Sequence, residues 1–311
     1  MATISGTQGP DTLVGTALAD IIDGREGDDR LYGAAGNDRL YGSVGNDFIK
    51  AGAGDDFVLG GDGNDRIYGN EGDDLIHGGL GNDYVEGGLG NDTIFGNAGD
   101  DTVFDPGGRN YLYGGDGNDT LSGSGELRGG QGDDNINGGV GSGILFGDAG
   151  DDYLKGGDGN DELRGGIGND TLQGGVGDDI MFGGAGRDFL IGTDEGSLGD
   201  DILVGGPEMD VYSWYIGDAS HSVGNDLIVD SVGGFRLLLP DDIDPLDSNG
   251  DGIVNGDDAL ASIIDATYGG TTAESLQFAV QNSTGGGTVT LFNITSFSTS
   301  LIFTTVEDAL T

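Results

Sequence analysis

A hydrophobic side chain returns every ninth residue through roughly two-thirds of this 311-residue chain, nearly always two places after an aspartate. The series runs Leu13, Ile22, Leu31, Leu40, Ile49, Val58, Ile67, Ile76, Val85, Ile94, Val103, Leu112 and Leu121. After a shortened unit ending around Leu127 it resumes at Ile136, Leu145, Leu154, Leu163, Leu172, Met181 and Leu190, and one longer unit carries it to Leu203 and Tyr212. So strict a period predicts a repeat architecture in which each copy stacks on its neighbours.

One unit reads Gly60-Gly61-Asp62-Gly63-Asn64-Asp65-Arg66-Ile67-Tyr68. Its first six residues are turn chemistry, since Gly accepts positive φ and Asn or Asp tolerates left-handed backbone. The last three predict a very short strand, its middle side chain pointing one way and its neighbours the other. Two units, eighteen residues, then make one coil with a strand on each of two facing sheets. The middle residues fill the narrow core between them.

The turns stack along both edges, and each brings an Asp carboxylate and free carbonyls. Without metal this would leave a column of unpaired carboxylates at a rung spacing of ~4.8 Å. The arrangement needs a cation, and hard oxygen ligands without His or Cys select Ca²⁺. The unit resembles the nonapeptide G-G-x-G-x-D-x-U-x of the RTX family, and the resemblance extends from about Gly6 to Ser213. It implies a right-handed parallel β-roll over residues 6–213, with Ca²⁺ held between turns n and n+2 of one edge by sixth-position Asp residues and turn carbonyls. Carried over residue by residue, the metal ligands are Asp11, Asp20, Asp29, Asp38, Asp47, Asp56, Asp65, Asp74, Asp83, Asp92, Asp101, Asp119, Asp134, Asp152, Asp161, Asp170, Asp179, Asp188, Asp201 and Asp210. That makes roughly 15–20 calcium sites.

A net charge of -45 with 35% hydrophobic residues and 69 Gly is, on its face, the composition of a disordered polyanion. Calcium resolves the conflict, because about twenty shared ions would neutralise most of the excess. Folding is therefore expected only where calcium is abundant. The 11 Lys+Arg are spread singly among 56 Asp+Glu, so nucleic acid is excluded as a partner. No run of 18 apolar residues predicts a membrane span, and Met1 to Asp11 carries no Sec signal. Without Cys there is neither disulfide nor thiol chemistry. The family resemblance implies export from a Gram-negative bacterium through the type I secretion machinery, unfolded and led by an uncleaved C-terminal signal, to a secreted or cell-surface location.

Asn110 and Gly143 replace the expected Asp, Gly123 to Arg128 is a six-residue unit without the acidic turn, and Gly192 to Val204 carries four extra residues. Calcium sites beside Asn110, Gly123 and Gly143 are expected to be weak or empty. The ninth positions of one sheet read Tyr41, Leu59, His77, Phe95 and Tyr113, an apolar, largely aromatic stripe. It serves either as a platform for sugar rings or a cell-surface partner, or as cross-strand packing alone. His77 and His221 are far apart, and no catalytic constellation can be assembled around them.

From Trp214 the nonapeptides stop, giving a second region, 214–311. Asn225 to Asp230 and Phe235 to Leu239 resemble the strands that close serralysin-type rolls. Residues 247–258 fit an EF-hand loop: Asp247, Asn249, Asp251, the Ile253 carbonyl, Asn255 (directly or through water) and Asp258 are its ligands. Position twelve is Asp, as in dockerin-like loops, but only one copy is present. Ala259 to Ala266 is read as a helix, and the acidic, apolar stretch from about 275 to 311 resembles a type I secretion signal.

The first reading is a secreted, calcium-binding β-roll acting as a structural or binding module without enzyme activity. Met1 standing just before the first repeat favours a complete short protein. The second is the repeat module of a larger enzyme such as a lipase, serralysin or alginate epimerase. The third, a pore-forming or nodulation-type protein, lacks an amphipathic or apolar helical segment to insert.

Overall fold

Most nonapeptides, from Ile21–Glu26 onward, form a six-residue strand, twice the length expected. Arg66–Glu71 pairs in parallel with Tyr84–Leu89, one coil on: Arg66 opposite Tyr84, Ile67 opposite Val85, Tyr68 opposite Glu86, then Asn70 opposite Gly88 and Glu71 opposite Leu89. Pairing skips Gly69, where the chain turns the edge, and resumes beyond it. A nine-residue pattern could not reveal this second half, because those bonds exist only once coils are stacked. The turn demands left-handed backbone at the second and fourth positions, as at Gly61 (φ 122) and Gly63 (φ 137). Six units nevertheless hold a side chain in this left-handed backbone at the second position, among them Asn70 (φ 83) and Arg25 (φ 79); Asn tolerates this and Arg carries a cost of about 1–2 kcal/mol.

The computed structural model describes residues 1–193, 199–208 and 210–214, followed by the strands Asn225–Val229, Phe235–Leu238, Ala261–Tyr268, Thr271–Gln281, Gly286–Phe292 and Phe303–Thr304. Two compact units, Met1–Tyr153 and Leu154–Thr311, are described in turn. No helix among the described residues is long and apolar enough to cross a membrane.

In the first unit each strand pairs with the next but one, eighteen residues on, giving alternate strands to two parallel sheets: Ile22 lies opposite Leu40, and Leu31 opposite Ile49. The eighth-position side chains from Ile22 to Leu145 are at most 1 % exposed and, with Ala51 at the first position of its unit, form the apolar core among the described residues. Leu13, in the first coil, is half-buried. Around the shortened unit the strands lengthen to Thr102–Asp116 and Thr120–Gln131, as extended backbone replaces the missing turn. The register step falls to fifteen residues, with Leu112 opposite Leu127 and Leu121 opposite Ile136. Leu127 stays fully buried, so the ladder is unbroken.

In the second unit the longer repeat is absorbed the same way. Met181 faces Leu203 and Leu190 faces Tyr212, both twenty-two residues on. Tyr212 is fully buried because its hydroxyl accepts the Gly205 N–H at 2.9 Å. Asn225–Val229 and Phe235–Leu238 continue the parallel ladder, with Leu203 opposite Ile228 and Tyr212 opposite Leu237. Asn225–Val229 then pairs in parallel with Gly286–Phe292. The helix read over residues 259–266 is a correction: Ala261–Tyr268 is a strand, antiparallel to Thr271–Gln281. Its Ile263, Ile264, Thr267 and Tyr268 are β-branched or aromatic, side chains that fit a pleated surface better than a helix.

Candidate metal sites

The sixth-position aspartates are buried, against the usual preference of carboxylates for water. Asp29, Asp38, Asp47, Asp56, Asp65, Asp74, Asp83, Asp92 and Asp101 are all 1–3 % exposed. They are held there by the backbone. Oδ1 of each accepts the main-chain N–H of the Asp one coil before: Asp29 to Asp47 at 2.7 Å, Asp47 to Asp65 at 2.8 Å, Asp65 to Asp83 at 2.7 Å. A second file links Asp38, Asp56, Asp74 and Asp92 at 2.7–2.8 Å. The shortened unit does not interrupt the first file, since the Asp119 N–H still reaches Asp134 Oδ1 at 2.7 Å. In the second unit Asp179 bonds Asp201, and Asp188 bonds Asp210, both at 2.9 Å.

The other oxygen is left over. Oδ2 of Asp47, Asp65, Asp83, Asp101 and Asp119, and of Asp56, Asp74 and Asp92, is buried without a hydrogen-bond donor, as are those of Asp179, Asp188 and Asp210. Except for Asp56, whose unit begins with Ala51, each points into a small cradle under the first glycine of its own unit. A Cβ built on Gly60 would strike Asp65 Oδ2 and the Gly78 carbonyl oxygen, and one on Gly78 would strike Asp83 Oδ2 and the Gly96 carbonyl. Carboxylate and carbonyl thus converge on one space that only a missing side chain leaves open. No three His, Cys, Asp or Glu side chains converge among the described residues, so each site combines few carboxylates with main-chain carbonyls. Such a hard, all-oxygen donor set fits Ca²⁺.

Burial is the largest cause of the pKa shifts. Partly offset by the backbone N–H and reinforced by neighbouring carboxylates, it pushes Asp56, Asp65 and Asp101 from 3.8 up to about 7, and Asp74 to about 8. Asp179 and Asp188 in the second unit also rise to about 7. These carboxyls resist ionisation unless a cation accompanies them.

The structure separates some expected ligands from the rest. Asp11 Oδ2 accepts the Thr7 N–H at 2.6 Å and hydroxyl at 2.9 Å, and Asp20 Oδ2 accepts both Thr16 donors at 2.7 Å. Threonine at the second position of the first two units is the signal, visible in the sequence and passed over there. At Asn110 the amide oxygen keeps the structural bond, accepting the Asp92 N–H at 2.9 Å, while Nδ2 donates to the Gly107 carbonyl. Gly143 is buried and brings no carboxylate. The EF-hand-like loop, with Asp247, Asn249, Asp251, Ile253, Asn255 and Asp258, lies outside the described residues. So does His221, whereas His77 stacks on Phe95 with centroids 4.8 Å apart. Tyr41, Leu59, His77, Phe95 and Tyr113 do lie in register along one sheet, but as half-buried side chains among contacts such as Tyr41–Phe57 and Phe95–Tyr113.

The family model for the RTX calcium-binding nonapeptide repeat (4 copies) matches residues 5–40, 32–67, 41–76, 59–94, 68–103, 95–126, 122–154, 141–172 and 155–190. No curated protein matches the chain. The matches tile the same units whose aspartates file along the roll, and the chain belongs to the family of RTX calcium-binding nonapeptide repeats.

Proposed function

We propose that this chain is a secreted β-roll that stays unfolded where calcium is scarce and folds on reaching extracellular calcium, serving as a structural or binding module without catalysis. The observation that carries the reading is the buried, donor-less Oδ2 repeated at Asp47, Asp65, Asp83 and Asp101 and again at Asp56, Asp74 and Asp92. Each costs about 1–3 kcal/mol when left unsatisfied, and more when charged. Over these seven carboxylates the cost is as large as the 5–15 kcal/mol by which a typical domain is stable. Bound calcium supplies the opposing charge. The cradles exist only between stacked coils, so its binding free energy is also folding free energy.

The same dependence suits an exporter that passes unfolded polypeptide. A net charge of -45 opposes collapse in the low calcium of the cytosol. Type I secretion from a Gram-negative bacterium, led by the segment from about 275 to 311, is the route this reading names. Far-ultraviolet circular dichroism tests the folding step. A coil spectrum in EGTA that becomes a β spectrum in millimolar Ca²⁺, with Mg²⁺ far less effective, is expected; an unchanged β spectrum in EGTA overturns the reading.

A further inference from the structure

Asp105 occupies the first position of its unit, where Gly60, Gly69, Gly78, Gly87 and Gly96 stand in others. It does so in the unit whose sixth position is Asn110. Its side chain is 0 % exposed and turns into the cradle of the unit one coil back. A Cβ built on Gly87 would meet Asp105 Oδ2 first and Asp92 Oδ2 next, at 2.6 Å. In the regular cradle at Gly78 the corresponding atoms are Asp83 Oδ2 and the Gly96 carbonyl. A carboxylate has taken the place of a carbonyl.

Both converging oxygens lack a hydrogen-bond donor. The other two are committed: Asp92 Oδ1 accepts the Asp74 N–H at 2.7 Å, and Asp105 Oδ1 accepts the Gly107 N–H at 3.2 Å. Two buried carboxylates aimed at one space repel strongly unless something positive lies between them. Asn110 explains why the carboxylate moved. Its Nδ2 turns an N–H toward the Gly107 and Asp105 carbonyls, which closes its own unit to a cation.

We propose that Asp92 and Asp105 together hold one Ca²⁺ against Gly87, in a site carrying one more negative charge than the regular cradles. The proposal rests on reading those cradles as calcium sites, and it adds a ligand that the nonapeptide motif does not supply. The unit around Asn110 has not lost its carboxylate; it has lent it to the coil before.

Native mass spectrometry of the full chain, which counts bound ions, tests this. In Asp105→Asn the amide can donate directly to Asp92 Oδ2, so the pair no longer calls for a cation, and one ion fewer than in the parent is expected. Asp105→Gly restores the first-position glycine of the neighbouring units. It is expected to keep the ion at millimolar calcium but release it at about tenfold higher free calcium, a carboxylate having become a carbonyl. An unchanged count in the first variant, or unchanged release in the second, overturns the site and leaves a shared proton as its occupant. A parent chain that binds no calcium at all overturns the regular cradles too, so the two failures are distinguishable.

Discussion

The main-chain N–H of Asp47 donates to Oδ1 of Asp65 at 2.8 Å, while Oδ2 of the same carboxylate is buried with no donor. One oxygen ties a coil to its neighbour and the other waits for a cation. This division lets a single residue type register the stack and make it depend on metal.

Substitution should separate the two roles. Asp65→Ala removes both oxygens, so bound calcium and stability fall together. Asn110→Ala removes the acceptor of the Asp92 N–H and the Nδ2 donor to the Gly107 carbonyl but no carboxylate, so each group left unpaired costs about 1–3 kcal/mol with no change in calcium count. Ion counting beside thermal melting in calcium reads both; equal calcium loss in the two variants would contradict the assignment of the cradles.

Glycine substitutions should separate a position against a carboxylate from one in the turn away from it. Gly60 needs no left-handed backbone, but a methyl there would strike Asp65 Oδ2 and the Gly78 carbonyl. Gly63→Ala instead meets a φ of 137 that L-residues avoid and the Gly45 carbonyl oxygen, with no carboxylate among its nearest atoms. Gly60→Ala is expected to raise the calcium midpoint, with most of the stability regained at high calcium, whereas the Gly63→Ala deficit persists at every calcium level. Matching calcium titrations for the two would remove the cradle argument.

The pH dependence has a definite sign. Without calcium the buried carboxyls have folded pKa values of about 6 to 8, as at Asp47, Asp56 and Asp74, raised from 3.8. The folded state therefore binds more protons than the unfolded one, and the stability this contributes is full below the unfolded value and lost as pH rises through the folded values. In calcium-free buffer the chain should gain β structure on acidification from pH 8 toward about 4.5. In calcium the midpoint should rise over the same range, as protons compete for Oδ2. A calcium midpoint independent of pH between about 8 and 5 would contradict the placement of these carboxylates.

Much of this was legible because a nine-residue count held from Leu13 to Leu121 admits few folds. Ile67 two places after Asp65 implies both a core position and an edge position before any coordinates. What could not be read depends on stacked neighbours. The second half of each strand, Asn70 opposite Gly88, has no local signature. The unequal roles of Oδ1 and Oδ2 emerge only when Asp47 lies beneath Asp65, and Asp105 gains meaning only when Gly87 lies beneath it. The helix expected at 259–266 failed for a different reason. Ile263 and Ile264 pair across to Leu276 and Ser275, and that partner strand outweighs any local helical preference.

Truncation after Ser213 should weaken the roll. It removes Asn225–Val229 and Phe235–Leu238, which pair with Ile202–Val204 and Asp210–Trp214, and so exposes two strand edges and the core residue Leu203. A higher calcium midpoint and a shallower titration are expected by circular dichroism. A truncated roll that folds at the parent's calcium level would show that these strands do not template the last coils.

Small-angle X-ray scattering across a calcium titration tests most directly whether metal binding and folding are one event. A disordered chain of this length has a radius of gyration of about 60 Å, and a folded one far less. The radius should start near that value in EGTA and collapse in one transition coincident with calcium uptake. A chain already compact in EGTA, taking up calcium with no change in radius, would contradict the account.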